Sequence, residues 1–408
     1  MKILFLTQWF QPENFFKGLP FAKALQARGH DVEVLTGFPN YPGGHVYPGY
    51  RVRCYQREWM DGIVVHRVPL YPSHDKSALR RIVNYLSFAV SSFLYVPFLI
   101  KKPDVIYVYN LITLGPTAFL LRSLSGAGIL IDVQDLWPES VSSSRMLNHP
   151  LALNVLGLIC NRIYRTFDRV TVLSPGFREE MIKRGVKPEK TEVIYNWCDE
   201  TAIVSEGTWA NSVKPRELDG KLVVLFAGAM GTAQGINTVL DCAELCTHRL
   251  PEVQFVFIGG GVERPRLVQR ARDMRLSNVS FLPQRPMGEM AEIFTIADVL
   301  LVHLKDEPLF RITIPSKTQA YLYVGKPIIM AMRGDSAQLV RAAGAGVICT
   351  PGDPAALLGA IVRLRNMSAP ERRRMGEAGR RYYLNHLAFR HGVDRFESIM
   401  LTLRRKRI

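Results

Sequence analysis

The stretch Val224-Leu-Phe-Ala-Gly-Ala-Met-Gly-Thr-Ala-Gln-Gly235 indicates a buried strand, a glycine-bearing loop and the start of a helix. Apolar runs of strand length recur on both sides of it, separated by segments with helical periodicity. This alternation predicts parallel sheets, because strands joined by helical crossovers pair in parallel. The predicted strands are Ile3–Thr7, Asp31–Thr36, Ile63–Val68, Val105–Tyr109, Gly128–Asp132, Arg169–Leu173, Thr191–Tyr195, Leu222–Ala227, Val253–Ile258, Val279–Leu282, Val299–Val302, Pro327–Ala331 and Gly346–Cys349.

The domain organisation follows from one interruption of this pattern. Residues 199–220 are rich in polar side chains and lack apolar periodicity, which predicts a linker between residues 1–198 and residues 221–385. Both halves are then Rossmann-like, doubly wound α/β domains. Ligands of such sheets bind beyond the carboxyl ends of the strands, so the two domains are expected to face a central cleft that takes two ligands.

Composition limits the possible partners and compartment. The 408 residues carry a formal net charge of +16, which favours nucleic acid, an anionic membrane surface or phosphorylated ligands. No RNP, zinc-finger or helix-turn-helix signature is present, so nucleic acid is not expected as a partner. The six cysteines form no CxxC pair and no metal-binding spacing, which predicts a protein of the reducing cytosol without a metal site. The N-terminal apolar run is too short for a signal peptide.

Three glycine loops are candidates for binding a phosphorylated ligand. Gly18 lies at a predicted helix N-terminus, where N–H groups and the helix dipole attract anions. Gly228, Gly231 and Gln234 occupy the loop after one strand, and Gly259-Gly260 follow the next. Glycine there permits close approach of the backbone to a ligand. The alternative interpretations are a turn glycine at position 18 and a surface loop at 259–260.

A basic segment precedes another predicted helix, Lys317–Val324. Ser316 is the expected N-cap, and Arg311 and Lys317 place cations where the helix dipole disfavours them. An anionic ligand would remove that conflict. Solvated surface cations are the alternative.

Carboxylates follow the buried strand that ends at Asp132. Asp135 and Glu139 flank Trp137 at the carboxyl end of this strand, where a carboxylate could take a proton from a hydroxyl group. A tryptophan beside carboxylates suits a sugar face. The alternative is a loop that caps a helix.

Ile82–Ile100 is a run of nineteen uncharged residues between Arg80-Arg81 and Lys101-Lys102. Its length would span a bilayer, but the strand that follows belongs to the same predicted sheet. A helix that packs on the sheet and dips an apolar face into the membrane interface fits better, and the basic flanks suit anionic lipid. A wholly buried core helix is the alternative.

Seven segments, in order along the chain, carry a family resemblance. They are Leu35-Thr-Gly-Phe-Pro-Asn-Tyr-Pro42, Val133-Gln-Asp-Leu-Trp-Pro-Glu139, Val172-Leu-Ser-Pro-Gly-Phe177, Val193-Ile-Tyr-Asn-Trp-Cys-Asp199, Phe257-Ile-Gly-Gly-Gly261, Leu301-Val-His-Leu-Lys-Asp306 and Ile314-Pro-Ser-Lys-Thr-Gln-Ala-Tyr321. Together they resemble glycosyltransferase family 4, in particular its WbuB-type N-acetyl-L-fucosamine transferases and, more distantly, WcaI-type colanic acid enzymes.

The resemblance implies a retaining GT-B transferase that needs neither metal nor cofactor. It implies a UDP-sugar in the C-terminal domain, an acceptor in the N-terminal domain, and a last helix, 386–408, that packs back on the N-terminal domain. N-acetyl-L-fucosamine or another N-acetylated amino sugar would pass to a saccharide on undecaprenyl diphosphate, in O-antigen, lipopolysaccharide, capsule or exopolysaccharide synthesis. The enzyme would lie on the cytoplasmic face of the inner membrane.

The chain departs from the family pattern at the expected donor contacts. Ala229 and Gln234 stand where many members have Arg and Lys, and Ile312 and Ala320 stand where many have two glutamates. We expect Arg311, Ser316 and Lys317 to replace the missing cations.

The expected mechanism neutralises the leaving UDP with charge and backbone dipoles. Backbone N–H groups at Gly18 and Gly231, with Arg311 and Lys317, would provide this stabilisation. Asp135 or the departing phosphate would take the acceptor proton. Two other functions fit the sequence: a GT-B UDP-sugar 2-epimerase, which would need no membrane-seeking helix, and a non-catalytic subunit of polysaccharide assembly.

Overall fold

The computed structural model divides the chain into two compact units. The first unit is Met1–Tyr195 with Gly392–Ile408, and the second is Asn196–His391. The structure describes residues 1–13, 15, 17–73, 77–143, 146–147, 149–203 and 216–404. The middle of the expected linker, 204–215, and the end of the basic tail, 405–408, lie outside the described residues.

Both units alternate strands with helices. The strands are β1 (Lys2–Leu6), β2 (Asp31–Gly37), β3 (Gln56–Met60), β4 (Ile63–Val68), β5 (Val105–Tyr109), β6 (Gly128–Val133), β7 (Arg169–Val172), β8 (Thr191–Val193), β9 (Leu222–Ala227), β10 (Val253–Ile258), β11 (Val279–Leu282), β12 (Val299–His303), β13 (Ile328–Ala331) and β14 (Gly346–Ile348). The helices are α1 (Leu19–Ala27), α2 (Ala78–Leu99), α3 (Gly115–Ser125), α4 (Glu139–Ser143), α5 (Pro150–Thr166), α6 (Pro175–Lys183), α7 (Glu200–Ile203), α8 (Ile236–Arg249), α9 (Arg264–Asp273), α10 (Met290–Ile296), α11 (Pro308–Arg311), α12 (Ser316–Val324), α13 (Asp335–Ala342), α14 (Pro354–Asn366), α15 (Ala369–His386) and α16 (Phe389–Leu403). Short 3-10 turns lie at Ile112–Leu114, Pro188–Lys190, Arg216–Leu218, Thr232–Gln234 and Met287–Glu289.

The first sheet has the strand order β3-β4-β2-β1-β5-β6-β7-β8. Its pairs are parallel except β3–β4, which is an antiparallel hairpin at one edge. The order changes direction between β1 and β5. In a doubly wound sheet this switch point is where ligands bind.

The second sheet is wholly parallel, with the order β11-β10-β9-β12-β13-β14. Its switch point lies between β9 and β12. Every residue of β9, β10 and β12 is buried, as expected for central strands covered by helices on both faces. The two Rossmann-like sheets confirm the α/β fold class expected from the sequence.

Three local expectations were incomplete or wrong. The sequence pattern did not predict β3, because its polar residues lie at a sheet edge and give no continuous apolar run. The helix expected from Lys317 begins one residue earlier, so Ser316 is its first residue and Pro315 its N-cap. Arg311 does not start a helix, because it is the last residue of the short helix α11.

A buried ion pair holds the carboxyl edge of the first sheet. Lys17, from the loop between β1 and α1, places its Nζ 2.7 Å from Oδ2 of Asp132 on β6, and neither side chain is exposed. The hydroxyl groups of Tyr107 on β5 and Thr171 on β7 also donate to Asp132, at 2.9 and 3.1 Å. Lys17 Nζ lies 4.9 Å from the ring centroid of Phe396 on α16. One carboxylate therefore connects three strands, a loop and the last helix.

Removing one member of this pair should destabilise the protein strongly. Asp132→Asn leaves the Lys17 ammonium buried without its counter-charge, and we expect a loss of about 3–5 kcal/mol in the free energy of unfolding. The double variant with Lys17→Met should lose less than Asp132→Asn alone. Chemical denaturation measures both, with Lys23→Met, which breaks an exposed pair with Asp61, as a control that changes stability by less than about 1 kcal/mol. Equal losses for the single and double variants would contradict the coupling.

Candidate functional site

The glycine loops of the second unit meet at its switch point. A Cβ on Gly259 would lie 2.1 Å from the carbonyl oxygen of Gly228, and one on Gly261 would lie 2.5 Å from that of Met230. All three glycines have φ near +133°, a region that side chains rarely adopt. The Met230 N–H donates to the Gly260 carbonyl oxygen at 2.7 Å, which joins the two loops. Glycine is therefore required here for loop packing, whatever else the loops bind.

Lys317 lies beneath these loops with its charge unmatched. Its Nζ is 3.6 Å from the ring centroid of Phe226 on β9, and a Cβ on Gly228 would be 3.2 Å from it. Among the described residues, nothing accepts a hydrogen bond from this buried Nζ. Burial lowers the pKa of Lys317 to about 7. An unpaired cation in such a place costs stability, which an anionic ligand would offset.

Lys317 is also the second residue of α12. No side chain caps the N-terminus of this nine-residue helix. The positive end of the helix dipole and the Lys317 ammonium therefore act from the same place. Together they form an anion-binding geometry at the foot of the β9 loop.

His303, at the end of β12, orders the β9 loop. Its Nδ1 donates to the Gln234 carbonyl oxygen at 2.6 Å, so Nε2 faces the Gly352 N–H, at 3.4 Å, as the acceptor. Burial, with a contribution from the charge of Lys317, lowers the pKa of His303. A neutral imidazole fits both hydrogen bonds.

Other site residues expected in the second unit behave differently. The Gly231 N–H, expected to be a free donor, already donates to Gln234 Oε1 at 3.0 Å. Arg311 pairs its Nε on the surface with Asp306 at 2.7 Å, and the same carboxylate pairs with Arg333 at 3.2 Å. Ser316 lies beside Lys317 at the start of α12. Thus the structure brings Gly228, Gly259, Gly260, Gln234 and Lys317 to one switch point and engages Arg311 elsewhere.

Asp135 lies beyond β6 in the first unit, near the switch point between β1 and β5. The Asn110 amide, which follows β5, donates to Asp135 Oδ2 at 2.8 Å, while Asn110 Oδ1 accepts the N–H groups of Gln134 and Asp135. Oδ1 of Asp135 has no hydrogen-bond partner in the part of the chain that the structure describes. The residue is solvent-exposed, yet desolvation raises the pKa of its carboxyl. A carboxyl at the floor of an open recess has this combination of properties.

Glu13 organises the loops around that recess. Its fully buried carboxylate accepts backbone N–H groups of Phe10, Asn40 and Tyr41 at 3.1, 2.8 and 2.7 Å. Desolvation raises the pKa of Glu13 to about 7, against the opposing effect of these N–H groups and of Arg67. The residue thus ties the loop after β1 to the loop after β2.

The two remaining candidates in the first unit have internal partners. Glu139 forms an ion pair with Arg184 at 2.7 Å, and nothing links its carboxylate to Asp135. Gly18 is the N-cap of α1, but its N–H donates to the Phe15 carbonyl oxygen at 3.2 Å, which corrects the expectation of a free amide there. Within the described residues, no group of three or more His, Cys, Asp or Glu side chains is arranged to hold a metal ion.

Comparison with known families covers most of both units. Residues 19–197 match the glycosyl transferase 4-like domain, and residues 208–382 match the glycosyl transferases group 1 model. The chain is a glycosyltransferase of family 4. Its two sheets, with a switch point in each, are the GT-B fold.

Individual relatives agree with this assignment. The transferase is 29% identical over 318 residues to WcaI of Escherichia coli K12, whose name assigns it to colanic acid biosynthesis, covering 74% of this chain and 75% of that protein. Sucrose-phosphate synthase of Thermosynechococcus elongatus superposes with a TM-score of 0.72 at 18% identity, covering 99% of each chain. HepE of Anabaena, solved with UDP-glucose, superposes with a TM-score of 0.68 at 16% identity, covering 99% of this chain and 100% of that one.

Sequence reasoning missed several residues that shape these sites in the transferase. Asn110 and His303 each end or follow a strand next to the switch point, so strand order would have identified them. Phe226 and Glu13 have no such signal. A buried phenylalanine in an apolar strand is ordinary, and Glu13 becomes informative only when the loops that it joins are known.

The unmatched Lys317 charge gives a stability prediction for the free transferase. Because the folded pKa is about 7, against an ordinary 10.5, the unfolded chain binds the extra proton between these values. Stability should therefore rise with pH through this window. Lys317→Met should raise the melting temperature at pH 7, with a gain that shrinks towards pH 10. Thermal unfolding at several pH values measures this, with Lys305→Met, at an exposed position, as the control. A lower melting temperature for Lys317→Met would contradict the assignment.

Proposed function

We propose that the transferase moves an N-acetylated amino sugar, with N-acetyl-L-fucosamine as the first candidate, from a UDP-sugar to a saccharide on undecaprenyl diphosphate. The reaction retains the anomeric configuration, uses no metal, and belongs to the synthesis of a cell-surface polysaccharide such as O-antigen or capsule. The observation on which this proposal rests is the buried, unpaired ammonium group of Lys317 at the N-terminus of α12. This cation is suited to binding the diphosphate of the donor.

The donor site is supported by the switch-point geometry of the second unit. Lys317 and the start of α12 place positive charge below the β9 loop, where the leaving UDP develops negative charge. HepE, a protein of the same fold, was solved with UDP-glucose. Lys317 replaces the loop cations that Ala229 and Gln234 leave absent. Arg311, paired with Asp306, has a smaller role.

The acceptor site is assigned to the first unit. The free Oδ1 of Asp135 can accept a hydrogen bond from the attacking hydroxyl, and a raised pKa makes the carboxylate a better base. Asn110 holds the other oxygen and fixes the orientation of the carboxylate. The WcaI relative, by its name, works in an exopolysaccharide pathway, which supports the same class of acceptor here.

Helix α2 supports a peripheral position on the inner face of the cytoplasmic membrane. It is long and apolar enough to cross a bilayer, with a mean hydropathy of 1.6, yet it packs against β2, β4 and α3. Its inward face combines Asn84, Ser91 and Ser92 with Phe88 and Val96, and seven further large apolar side chains point outward. We call this outward face the α2 stripe: Leu79, Val83, Leu86, Val90, Phe93, Leu94 and Phe98.

A second helix of the same unit also exposes apolar side chains. Helix α5 exposes Leu151, Val155, Leu158 and Ile159 at helical spacing. Neither α2 nor α5 contains an acidic residue, and exposed basic side chains such as Lys101 accompany them. Apolar side chains with basic flanks are the composition that binds an anionic lipid surface.

A donor panel tests the transferase reaction. Full-length enzyme is incubated with individual UDP-N-acetylamino sugars and undecaprenyl-diphosphate N-acetylglucosamine, and products are analysed by mass spectrometry. We expect UDP release and the mass of one added sugar only when both substrates are present. Isomerised UDP-sugar without acceptor would favour an epimerase instead.

Two lysine variants test the position of the donor site. Lys317→Met should reduce UDP-sugar affinity at least tenfold, because the diphosphate loses its buried counter-charge, whereas Lys183→Met on the surface of the first unit should not. For the parent enzyme, affinity should weaken as pH rises above 7, since only protonated Lys317 attracts the diphosphate. Unchanged affinity in Lys317→Met would remove this residue from the donor site.

Liposome sedimentation tests the membrane face. Replacing Leu86, Val90 and Leu94 by Gln should reduce binding to phosphatidylglycerol vesicles about tenfold or more, because the variant loses apolar area that enters the interface. These side chains are exposed, so the fold should be retained. Trp59→Gln removes an equally exposed aromatic at the β3 edge and should bind like the parent. Equal sedimentation of the triple variant and the parent would contradict the assignment.

A further inference from the structure

Six aromatic side chains form a continuous set of ring contacts beside Asp135. Trp9 lies 5.5, 5.7 and 5.9 Å, centroid to centroid, from Phe15, Tyr41 and Tyr85. Tyr109 and Trp137 extend the set, at 6.2 Å from Phe15 and 5.9 Å from Tyr85 respectively. We call this group the aromatic recess: Trp9, Phe15, Tyr41, Tyr85, Tyr109 and Trp137. It collects residues from the ends of β1, β2, β5 and β6 and from α2.

The Asp135 carboxylate belongs to this recess. Burial raises the pKa of Tyr41, Tyr85 and Tyr109, and the negative charge of Asp135 raises each of them further. Trp9 and Tyr109 are almost fully buried, whereas Tyr41, Tyr85 and Trp137 are only half-buried and present part of their rings to solvent.

The chemistry of this arrangement matches one class of ligand. A pyranose has a C–H face that packs on aromatic rings and hydroxyl groups at its edge that need polar partners. The recess offers several ring surfaces around an exposed carboxylate with one free oxygen. A purely apolar ligand would leave that carboxylate without a partner, at a cost in binding free energy.

The recess borders the apolar surface of the same unit. Three consecutive residues of α2 point to three environments. Asn84 points inward and forms hydrogen bonds with Gln8 at 2.6 Å and Asn40 at 3.3 Å. Tyr85 faces the recess, and Leu86 points outward to solvent. Beyond Trp137, a Cβ on Gly157 of α5 would lie 3.6 Å from Pro138. The exposed apolar faces of α2 and α5 therefore flank the Tyr85–Trp137 wall of the recess.

We propose that the aromatic recess binds the acceptor sugar that carries the attacking hydroxyl group, with Tyr85 as the residue that contacts this sugar on the side of the lipid surface. This assignment rests on the transferase function proposed above. The sugar packs on Tyr85 and Tyr41, a hydroxyl group donates to Asp135 Oδ1, and the lipid chain of the acceptor extends across Leu86 along the α2 stripe. The enzyme thus receives its acceptor from the bilayer side.

Steady-state kinetics with two acceptors test this assignment. One is undecaprenyl-diphosphate N-acetylglucosamine in vesicles, and the other is the same sugar diphosphate on a short, water-soluble alkyl chain. Tyr85→Ala should raise the acceptor KM about tenfold for both, since it removes a ring surface from the sugar, while the donor KM stays unchanged. Tyr85→Phe keeps the ring and should restore the KM. Tyr55→Ala, at an exposed tyrosine near the β3 edge, is the control.

A binding measurement separates this proposal from the transferase proposal. Quenching of intrinsic tryptophan fluorescence by the water-soluble acceptor, without donor, reports occupation beside Trp9 and Trp137. Saturable quenching that Tyr85→Ala weakens, and Asp135→Asn weakens separately, supports the recess even if no donor in the panel is transferred. Transfer with unchanged acceptor KM in Tyr85→Ala, or quenching unaffected by both variants, would overturn the recess assignment and leave the transferase intact.

Discussion

The buried contact between Lys17 and Asp132 fixes the working edge of the first sheet. Because Asp132 also accepts hydroxyl groups from β5 and β7, the ends of three strands share one carboxylate. Lys17 brings the β1–α1 loop to that point, and Trp9 and Glu13 lie in this loop. The polypeptide then continues from Asp132 to Asp135. A shift of this ion pair would therefore move both the aromatic rings and the carboxylate that they surround.

The two units share one order over six parallel strands, with β3 and β8 added at the edges of the first sheet, but the charges at their switch points differ. In the first unit, the buried ammonium of Lys17 has a carboxylate partner, and the available carboxylate, Asp135, stands apart from it in solvent. In the second unit, the ammonium of Lys317 is buried against Phe226 without an anion. A buried cation that is paired with a carboxylate is part of the folded structure. A buried cation without a partner lowers the stability of the protein, and binding of an anion restores that stability. This difference supports the proposal that the second unit binds an anion and the first unit a neutral, hydroxyl-bearing ligand.

Features that depend on local sequence pattern could be predicted, whereas sites that combine distant segments of the chain could not. Apolar alternation predicted the parallel strands, and the positions of Asp135 and Lys317 after strands or before a helix marked both residues as candidates. Arg311 satisfied the same local argument, yet it forms a surface ion pair with Asp306, five residues earlier. The aromatic recess draws on five separate segments, so no spacing along the chain reveals it. Only the strand order, which sequence pattern does not determine, brings those segments together.

Helix α2 combines the features on which the proposals for membrane binding and for acceptor recognition rest. Its inward face combines Phe88 and Val96 with three polar side chains, of which Asn84 joins Gln8 of the β1 loop to Asn40 of the β2 loop. Its outward face carries the α2 stripe. In water the seven exposed apolar side chains of the stripe contribute little hydrophobic stabilisation, because their area is not buried. Lipid over the stripe would remove that area from water. Since Tyr85 lies on the same turn, the surface that we propose to hold lipid also positions a wall of the recess.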